Sequence, residues 1–311
     1  LNDKYKAGQK ASKVYNFYED YIFDIGLTPN RSDAMSHFGV ARDLRAALIH
    51  KKKSLELISP SVSPFHVNSR TKKINIKLNE TNLCSRFTGL CIDDIKIQTS
   101  PDWIQNKLKS IGLSPINNVV DITNYVLHEL GQPLHAYDLD KIKSNTIEIK
   151  TLKKNTTFTT LDGIERKLNE TDLMVCDGDI PMCIAGVFGG NDYGINNNTQ
   201  KIFLESAYFN PVSIRKTAKS HAINSDASFR FERGIDIELV DYALKRAALL
   251  ICEICNGKIC SDIIDEYPNK IENKSILLNY EQTNKLIGQV IPPEEIKSIL
   301  TSLDFKINNI T

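Results

Sequence analysis

The stretch NNVVDITNYVLHELGQPLHAYD, residues 117–138, decides how the chain is read. VVDITNYVLHEL (119–130) has helical spacing, and Gly131 and Pro133 stop it. His135 follows just past that end, in a constrained Gly-Gln-Pro turn. Two further segments belong beside it: FLESAYF (203–209) and HAINSDASFRFERGID (221–236). Together the three place Thr123, Asn124, His135, Glu205 and Ser225 among glycines, small residues and aromatics. Such a mixture suits a pocket for a small polar ligand better than a plain core does.

Working outward, PDWIQNKLKSIGL (101–113) reads as a helix with Pro101 near its first turn and Gly112 at its end. TIEIKTL, DLMVCD, PMCIAGVF and KIFLESAYF read as strands, separated by LDG and NDYGINNN turns. DIELVDYALKRAALLICEICNG (236–257) is the longest predicted helix. Asp236 is its expected cap, Asn256-Gly257 its end, and Leu239, Ala243, Ala247, Leu250 and Ile254 its buried face. A short strand is expected over Lys258–Ile264.

Toward the N-terminus, YIFDIGL (21–27) reads as a strand. A helix follows within 28–51, with Pro29, Asn30, Ser32 and Asp33 supplying turn and cap chemistry. Phe38, Ala41, Leu44 and Leu48 form its apolar face, and Lys51–Lys53 suit its C-terminal dipole. SPSVSPF (59–65) is a linker signal. Toward the C-terminus, 265–274 is a polar linker before two short helices, NYEQTNKLIG and PPEEIKSILTSL. Strands in the majority with interspersed helices make the class α+β.

With 311 residues, 41% hydrophobic and 25% charged, the composition is that of a soluble globular protein of two or three domains. The longest apolar run, ALLICEIC (248–255), is far too short to cross a bilayer, and no apolar signal segment opens the chain. A cytoplasmic protein is expected. A net charge of +1 gives no global attraction to a polyanion. Both ends read as cut: residue 1 is Leu, and the chain stops at DFKINNIT, a strand pattern with no following partner.

Seven cysteines, an odd number, do not make a disulfide framework. Cys252, Cys255 and Cys260 form a C-x2-C-x4-C run that invites a zinc reading. A structural site needs four ligands, and no fourth Cys or His lies near in sequence. Cys252 and Cys255 also share a helix face with Ala248 and Ile251, so they read as reduced core residues, and no metal is expected.

Each candidate has a plain alternative. A lone histidine such as His135 is commonly a hydrogen-bonded structural residue. Glu205, inside an apolar strand, either turns to solvent or is buried with a partner. Phe203 and Glu205 share parity and therefore a face, which favours a pocket, and burial would raise the carboxyl pKa. Gly186, Gly189 and Gly190 do not have dinucleotide-loop spacing; they suit close approach of backbone to a ligand or strand. His221, Ser225 and Asp226 lie too close along the chain for a hydrolase triad and lack a GxSxG elbow. Asp226 is expected to cap or tighten a turn. Arg230 and Arg233 suit either internal pairing, with Glu232 or Asp236, or a phosphate.

T-P-N-R-S-D…G-V-A-R-D-L, D-I-T-N-Y-V-L-x-E-L-G-Q-P-L-H-A-Y-D and S-D-A-S-x-R-x-E-R-G-I-D together resemble the beta subunits of bacterial phenylalanyl-tRNA synthetases over nearly the whole chain. The resemblance implies an internal fragment. Residues 1–60 would end a first domain, 61–268 would be the editing module of two interwoven domains (the third and fourth), and 269–311 would open a small fifth domain of nucleic-acid-binding-like fold. It implies hydrolysis of tyrosine mischarged onto tRNA(Phe), in a pocket of Thr123, Asn124, Pro133, His135, Ala185, Gly186, Gly189, Glu205, Ser225 and Ala227. The Ser225 position is often threonine in that family; serine keeps the hydroxyl and drops a methyl. Glu205 would accept the tyrosyl hydroxyl, while His135, with Thr123 or Asn124, would orient a water. The implied partners are tRNA(Phe) and an alpha subunit, in an α2β2 assembly. ATP and Mg2+ would serve the whole enzyme, with no cofactor in this fragment. Two other roles stand beside it: a non-catalytic RNA-anchoring and assembly fragment, and a free-standing hydrolase of small esters using His135 and Glu205.

Overall fold

A computed structural model describes residues 8–15, 18–51 and 55–308. After a short turn α1 (Ala11–Val14), helix α2 (His37–His50) leads to two main sheets. One has the order β1-β4-β7-β8-β9: β1 (Asn75–Leu78), β4 (Thr146–Thr151), β7 (Leu173–Asp177), β8 (Ile180–Ile184) and β9 (Phe188–Gly189). Its β1–β4 pair is parallel and the rest antiparallel. The central sheet is antiparallel, in the order β11-β2-β10-β3: β11 (Lys258–Ile259), β2 (Cys84–Asp93), β10 (Ile202–Phe209) and β3 (Leu134–Asp138). β12 (Ile264–Glu266) also pairs with β2, and β5 (Thr157–Thr159) with β6 (Glu165–Lys167) makes a separate hairpin. The remaining helices are α3 (Asp102–Ser110), α4 (Asn118–Leu130), α5 (Pro211–Ser220), α6 (Asp226–Phe231), α7 (Leu239–Cys255), α8 (Tyr280–Ile287) and α9 (Pro293–Ser302). The fold is α+β.

The central sheet is buried on both faces, and strand alternation sorts its side chains between them. Leu90, Ile92, Ala136, Ile202 and Leu204 meet α3, α4 and α7 through Ile104, Leu108, Ile122, Val126, Leu244 and Ile251. On the opposite face Phe87, Cys91, Tyr137, Phe203, Ala207 and Phe209 meet the other sheet at Ile147, Met174, Cys183 and Ile184. Full enclosure of a side chain such as Ile122 or Leu204 stabilises the fold by roughly 1.5–3 kcal/mol.

Helix α4 shows why the opening stretch folds as it does. The Asn117 side chain accepts from the Val120 N–H, closing the N-terminus, and Gly131 ends the helix at φ +85°, where a side chain would be strained. Val119, Ile122, Val126 and Leu130 lie at helical spacing on the buried face. Buried Asp121 accepts from the Ser100 hydroxyl at 2.5 Å and the Ile116 N–H at 2.8 Å, tying α4 to the segments on either side of α3.

Several local expectations need correction. Residues 21–27 form no strand; Tyr21 and Phe23 are 90% and 81% exposed, so no partner covers that apolar pattern. The cap of α2 is Ser36, not a residue of 29–33, although Ser32–Ala34 makes a 3-10 turn. Leu44 is exposed, and Ala46 takes the buried position. Asp236 does not cap α7: Glu238 occupies that position without a side-chain bond, while Asp236 accepts from the Glu238 N–H one turn earlier. Asn256, in the left-handed conformation, does end α7. The strand expected over 258–264 is split into β11 and β12. Residues 304–308 form no strand, and 309–311, like Lys52 and Lys53 of the expected helix-end cluster, lie outside the described residues. Helix α9 packs on α2, where Arg42 and Arg45 reach Asp304 at 3.3 and 3.5 Å.

Candidate functional site

The site lies where β3 pairs with β10. His135 stands directly across from Glu205, and Tyr137 from Phe203. All four share one face, because i and i+2 point the same way on each strand. Directly opposed residues bring their Cβ atoms to about 5 Å.

Glu205 is 5% exposed, and its Oε2 accepts from the Tyr137 hydroxyl at 2.6 Å. Its Oε1 has no hydrogen-bond partner among the described residues and is not fully enclosed. Burial pushes the Glu205 carboxyl up to about 7, and the Tyr137 bond opposes that rise. Burial pushes half-buried His135 down to about 4, so its imidazole is neutral at pH 7. Its ring meets Tyr137 edge to face, with centroids 4.5 Å apart, and no hydrogen bond occupies either ring nitrogen among the described residues. The Cys84 and Cys183 thiols nearby are pushed well up by burial, with the Glu205 charge adding to it.

Two glycines make the room. A Cβ on Gly89, opposite Glu205 on β2, would fall 2.1 Å from the Phe203 ring, so only glycine leaves that ring space beneath Tyr137. A Cβ on Gly189 would fall 2.9 Å from His135 Cε1 and 2.8 Å from Leu161 Cδ1, so Gly189 lies against the imidazole.

The other predicted residues serve more local ends. Gly186 has φ +66°, and a Cβ there would meet Phe209, Ile214 and Phe231 at 2.8–3.0 Å; its glycine is required by the core. Ala185 is buried in the same cluster, with half-buried Ala227 packed against it. Ser225 caps α6 in a capping box, and its hydroxyl also donates to the Val187 carbonyl at 2.8 Å. Pro133 is buried, and its carbonyl accepts from Gln132 Nε2 at 3.0 Å. The Thr123 hydroxyl is engaged with the Val120 carbonyl at 2.7 Å within α4, the helix that packs on the other face of the sheet. No hydrogen bond joins Thr123 or half-buried Asn124 to His135 or Glu205 among the described residues.

The triad alternative has a structural answer. His221 Nε2 lies 2.6 Å from Asp172 Oδ2, and Asp172 also accepts from the Thr217 hydroxyl at 2.9 Å and the Asn169 N–H at 2.7 Å. Asp226 follows the Ser225 cap and faces Arg230 at 3.4 Å; Arg233 pairs with Glu232 at 2.6 Å. Arg230 also donates to His128 Nδ1 at 3.1 Å.

Sequence reasoning missed Tyr137, which contacts both Glu205 and His135. It also missed Gln132, whose Nε2 ties the turn before β3 to the Ala207 carbonyl at 2.9 Å. Tyr137 was visible as the i+2 neighbour of His135, but only the register of β3 on β10 brings it to the acid. Clefts of about 480 Å³, around Arg70, Lys72 and Asp262, and about 320 Å³, around Phe38, Ile58 and Tyr125, contain none of the predicted residues. Among the described residues no helix is long and apolar enough to cross a membrane, and no group of three or more His, Cys, Asp or Glu is arranged to hold a metal.

A buried acid across from a histidine, on the face of the central sheet that meets the second sheet, with three helices packed behind, defines an α+β module carrying a polar pair on one sheet face. Residues 83–256 match the B3/4 domain, and the chain belongs to that family. It is similar along nearly its whole length to the phenylalanine–tRNA ligase beta subunit of Bacteroides fragilis, 50% identical over 300 residues, which cover 96% of this chain and 37% of the relative. The beta subunit of Fusobacterium nucleatum is 41% identical over 295 residues, covering 95% of this chain and 36% of that one. The chain therefore spans a little over a third of the length of the relatives it matches, and the resemblance drawn from its motifs is borne out. Among solved structures, an N-terminal fragment of the phenylalanyl-tRNA synthetase beta subunit from Pyrococcus horikoshii aligns over 88% of this chain and 74% of its own, at TM-score 0.43 and 16% identity.

Proposed function

We propose that this chain is the editing module of a phenylalanine–tRNA ligase beta subunit and hydrolyses the ester of tyrosine mischarged onto tRNA(Phe). The observation that carries the reading is the buried Glu205 facing His135 across the β3–β10 pair, with one carboxyl oxygen held by Tyr137 and the other unclaimed. In this reading the free oxygen accepts the phenolic hydroxyl of the tyrosyl group. A phenylalanyl group would leave that oxygen unpaired in a buried site, which is the condition under which discrimination is steep. An apolar synthetic pocket lacks this leverage, since an added hydroxyl there is rejected only weakly.

The reaction is attack of water on the ester carbonyl. The bond to the ribose oxygen breaks, releasing tyrosine and the intact tRNA 3′ end. Neutral His135, with both ring nitrogens uncommitted, is suited to hold that water. Asn124, or Thr123 once its hydroxyl leaves the Val120 carbonyl, would help orient that water and the terminal adenosine; Gly189 would form the wall beside His135, with Ala185, Gly186, Pro133, Ser225 and Ala227 framing it. Ligation itself, with ATP and Mg2+, falls in this reading to an alpha subunit, the two assembling as α2β2 in the cytoplasm.

The test is deacylation of tyrosyl- and phenylalanyl-tRNA(Phe) by the chain and by Glu205→Ala and His135→Ala. The expected result is loss of tyrosine only, discrimination falling in Glu205→Ala and rate falling in His135→Ala. Salt-sensitive tRNA retention with no hydrolysis would favour the anchoring role instead. Turnover of small esters without tRNA would point to a free-standing hydrolase.

A further inference from the structure

We propose that Tyr137 is a positioning residue for specificity: through its hydroxyl it fixes one oxygen of Glu205, favours the acid as an acceptor, and so sets the preference for a phenolic ligand. The inference rests on the editing reading and names a residue that reading does not require.

The geometry is specific. The Tyr137 side chain is fully enclosed, and its hydroxyl makes the one hydrogen bond to the Glu205 carboxyl among the described residues, at 2.6 Å. Its ring is held in place on three sides. The His135 imidazole lies edge to face at 4.5 Å, the Phe203 ring is tilted at 6.4 Å, and Cys183 neighbours the hydroxyl. The space for Phe203 depends on Gly89 having no side chain, so the placement of the phenol is built into three strands.

The chemical consequence concerns which form of Glu205 meets the ligand. A carboxylate with Tyr137 on Oε2 accepts a second phenol on Oε1, and a phenylalanyl group leaves a buried charge with half its shell missing. A protonated acid carries no such charge, and an apolar ring is then tolerated better. Without the Tyr137 hydroxyl, burial alone acts on Glu205, its ionisation moves to higher pH, and the acid is neutral where the parent is charged. Discrimination is therefore tied to pH through Glu205, and Tyr137 sets the midpoint.

Tyr137→Phe is the decisive variant, since it removes one oxygen and keeps the ring against His135 and Phe203. The ratio of tyrosyl- to phenylalanyl-tRNA(Phe) hydrolysis is followed from pH 6 to 9 with spontaneous hydrolysis subtracted. The parent ratio should rise through about pH 7, and the variant midpoint should lie about one pH unit higher. The variant ratio should be about three-fold lower at pH 7.5 and recover toward pH 9. Unchanged midpoint and ratio would overturn the proposal, as would a uniform loss at every pH, which marks a merely structural role. Carbon-13 NMR of the Glu205 carboxyl, assigned with Glu205→Gln, separates this from the editing reading. If the parent hydrolyses neither substrate, the editing reading fails. A Glu205 titration that still moves up in Tyr137→Phe then preserves the positioning role, and one that stays put sinks it.

Discussion

Asp172 and Glu205 are both buried carboxylates, yet their surroundings differ in kind. Asp172 is saturated: a histidine nitrogen, a threonine hydroxyl and a backbone N–H converge on it within 2.9 Å. Together with Arg166, which donates to the His221 carbonyl and pairs with Asp162, it ties α5 to the β5–β6 hairpin and the start of β7. Glu205 receives a single bond. A buried charge that has all its donors stabilises structure, and one left short of them holds free energy in reserve for a ligand. The shortage, rather than burial itself, singles out Glu205.

The contrast can be broken most forcefully at Asp172. Asp172→Ala strands three donors and should cost at least about 3 kcal/mol in urea denaturation; a loss under 1 kcal/mol would erase the distinction. Glu205→Gln should act in the opposite direction. Between its ordinary value of 4.5 and about 7 the folded chain binds more protons at Glu205 than the unfolded chain, so stability falls as pH rises through that window. The Gln variant should be more stable than the parent at pH 8, by on the order of 2–3 kcal/mol, with the advantage gone near pH 4. His135 runs the other way: its folded value of about 4 lies below 6.5, so its contribution is present above pH 6.5 and lost as pH falls toward 4. Equal melting curves for parent and Glu205→Gln across pH 4–8 would show that Glu205 is not short of donors.

Smaller effects sharpen the boundary of the pocket. Gly89→Ala, with its Cβ 2.1 Å from the Phe203 ring, should lose about 2 kcal/mol by overpacking and disturb Tyr137 with it. Ser225→Ala should cost about 1 kcal/mol through the lost helix cap and leave tyrosine selectivity intact. A large drop in selectivity in that variant would move Ser225 from the frame into the site.

What the sequence made legible follows from how local each signal is. Helix α4 was readable because its apolar spacing and its stop at Gly131 lie within fifteen residues. The pocket face of Glu205 was readable from the parity it shares with Phe203. Tyr21–Leu27 misled because an apolar alternation makes a strand only when a partner edge is at hand, and none of the described strands pairs there. The Tyr137–Glu205 and Asp172–His221 bonds join residues 68 and 49 apart, and only sheet register and helix packing bring them together. Thr123 shows the reverse case, a residue prominent in the motif whose hydroxyl is already satisfied inside its own helix.

The turn of Gly131, Gln132 and Pro133 joins the fixed end of α4 to the first residue of β3. Gln132 anchors it to β10, so the turn acts as a counter that determines which residues of β3 face the acid. One added or deleted residue there would exchange His135 and Tyr137 for their neighbours, turning Ala136 toward Glu205 and an imidazole and a phenol into the aliphatic helix layer. Insertions and deletions in this turn should therefore be far less tolerated than substitutions in it, although no residue of the turn bonds to the acid.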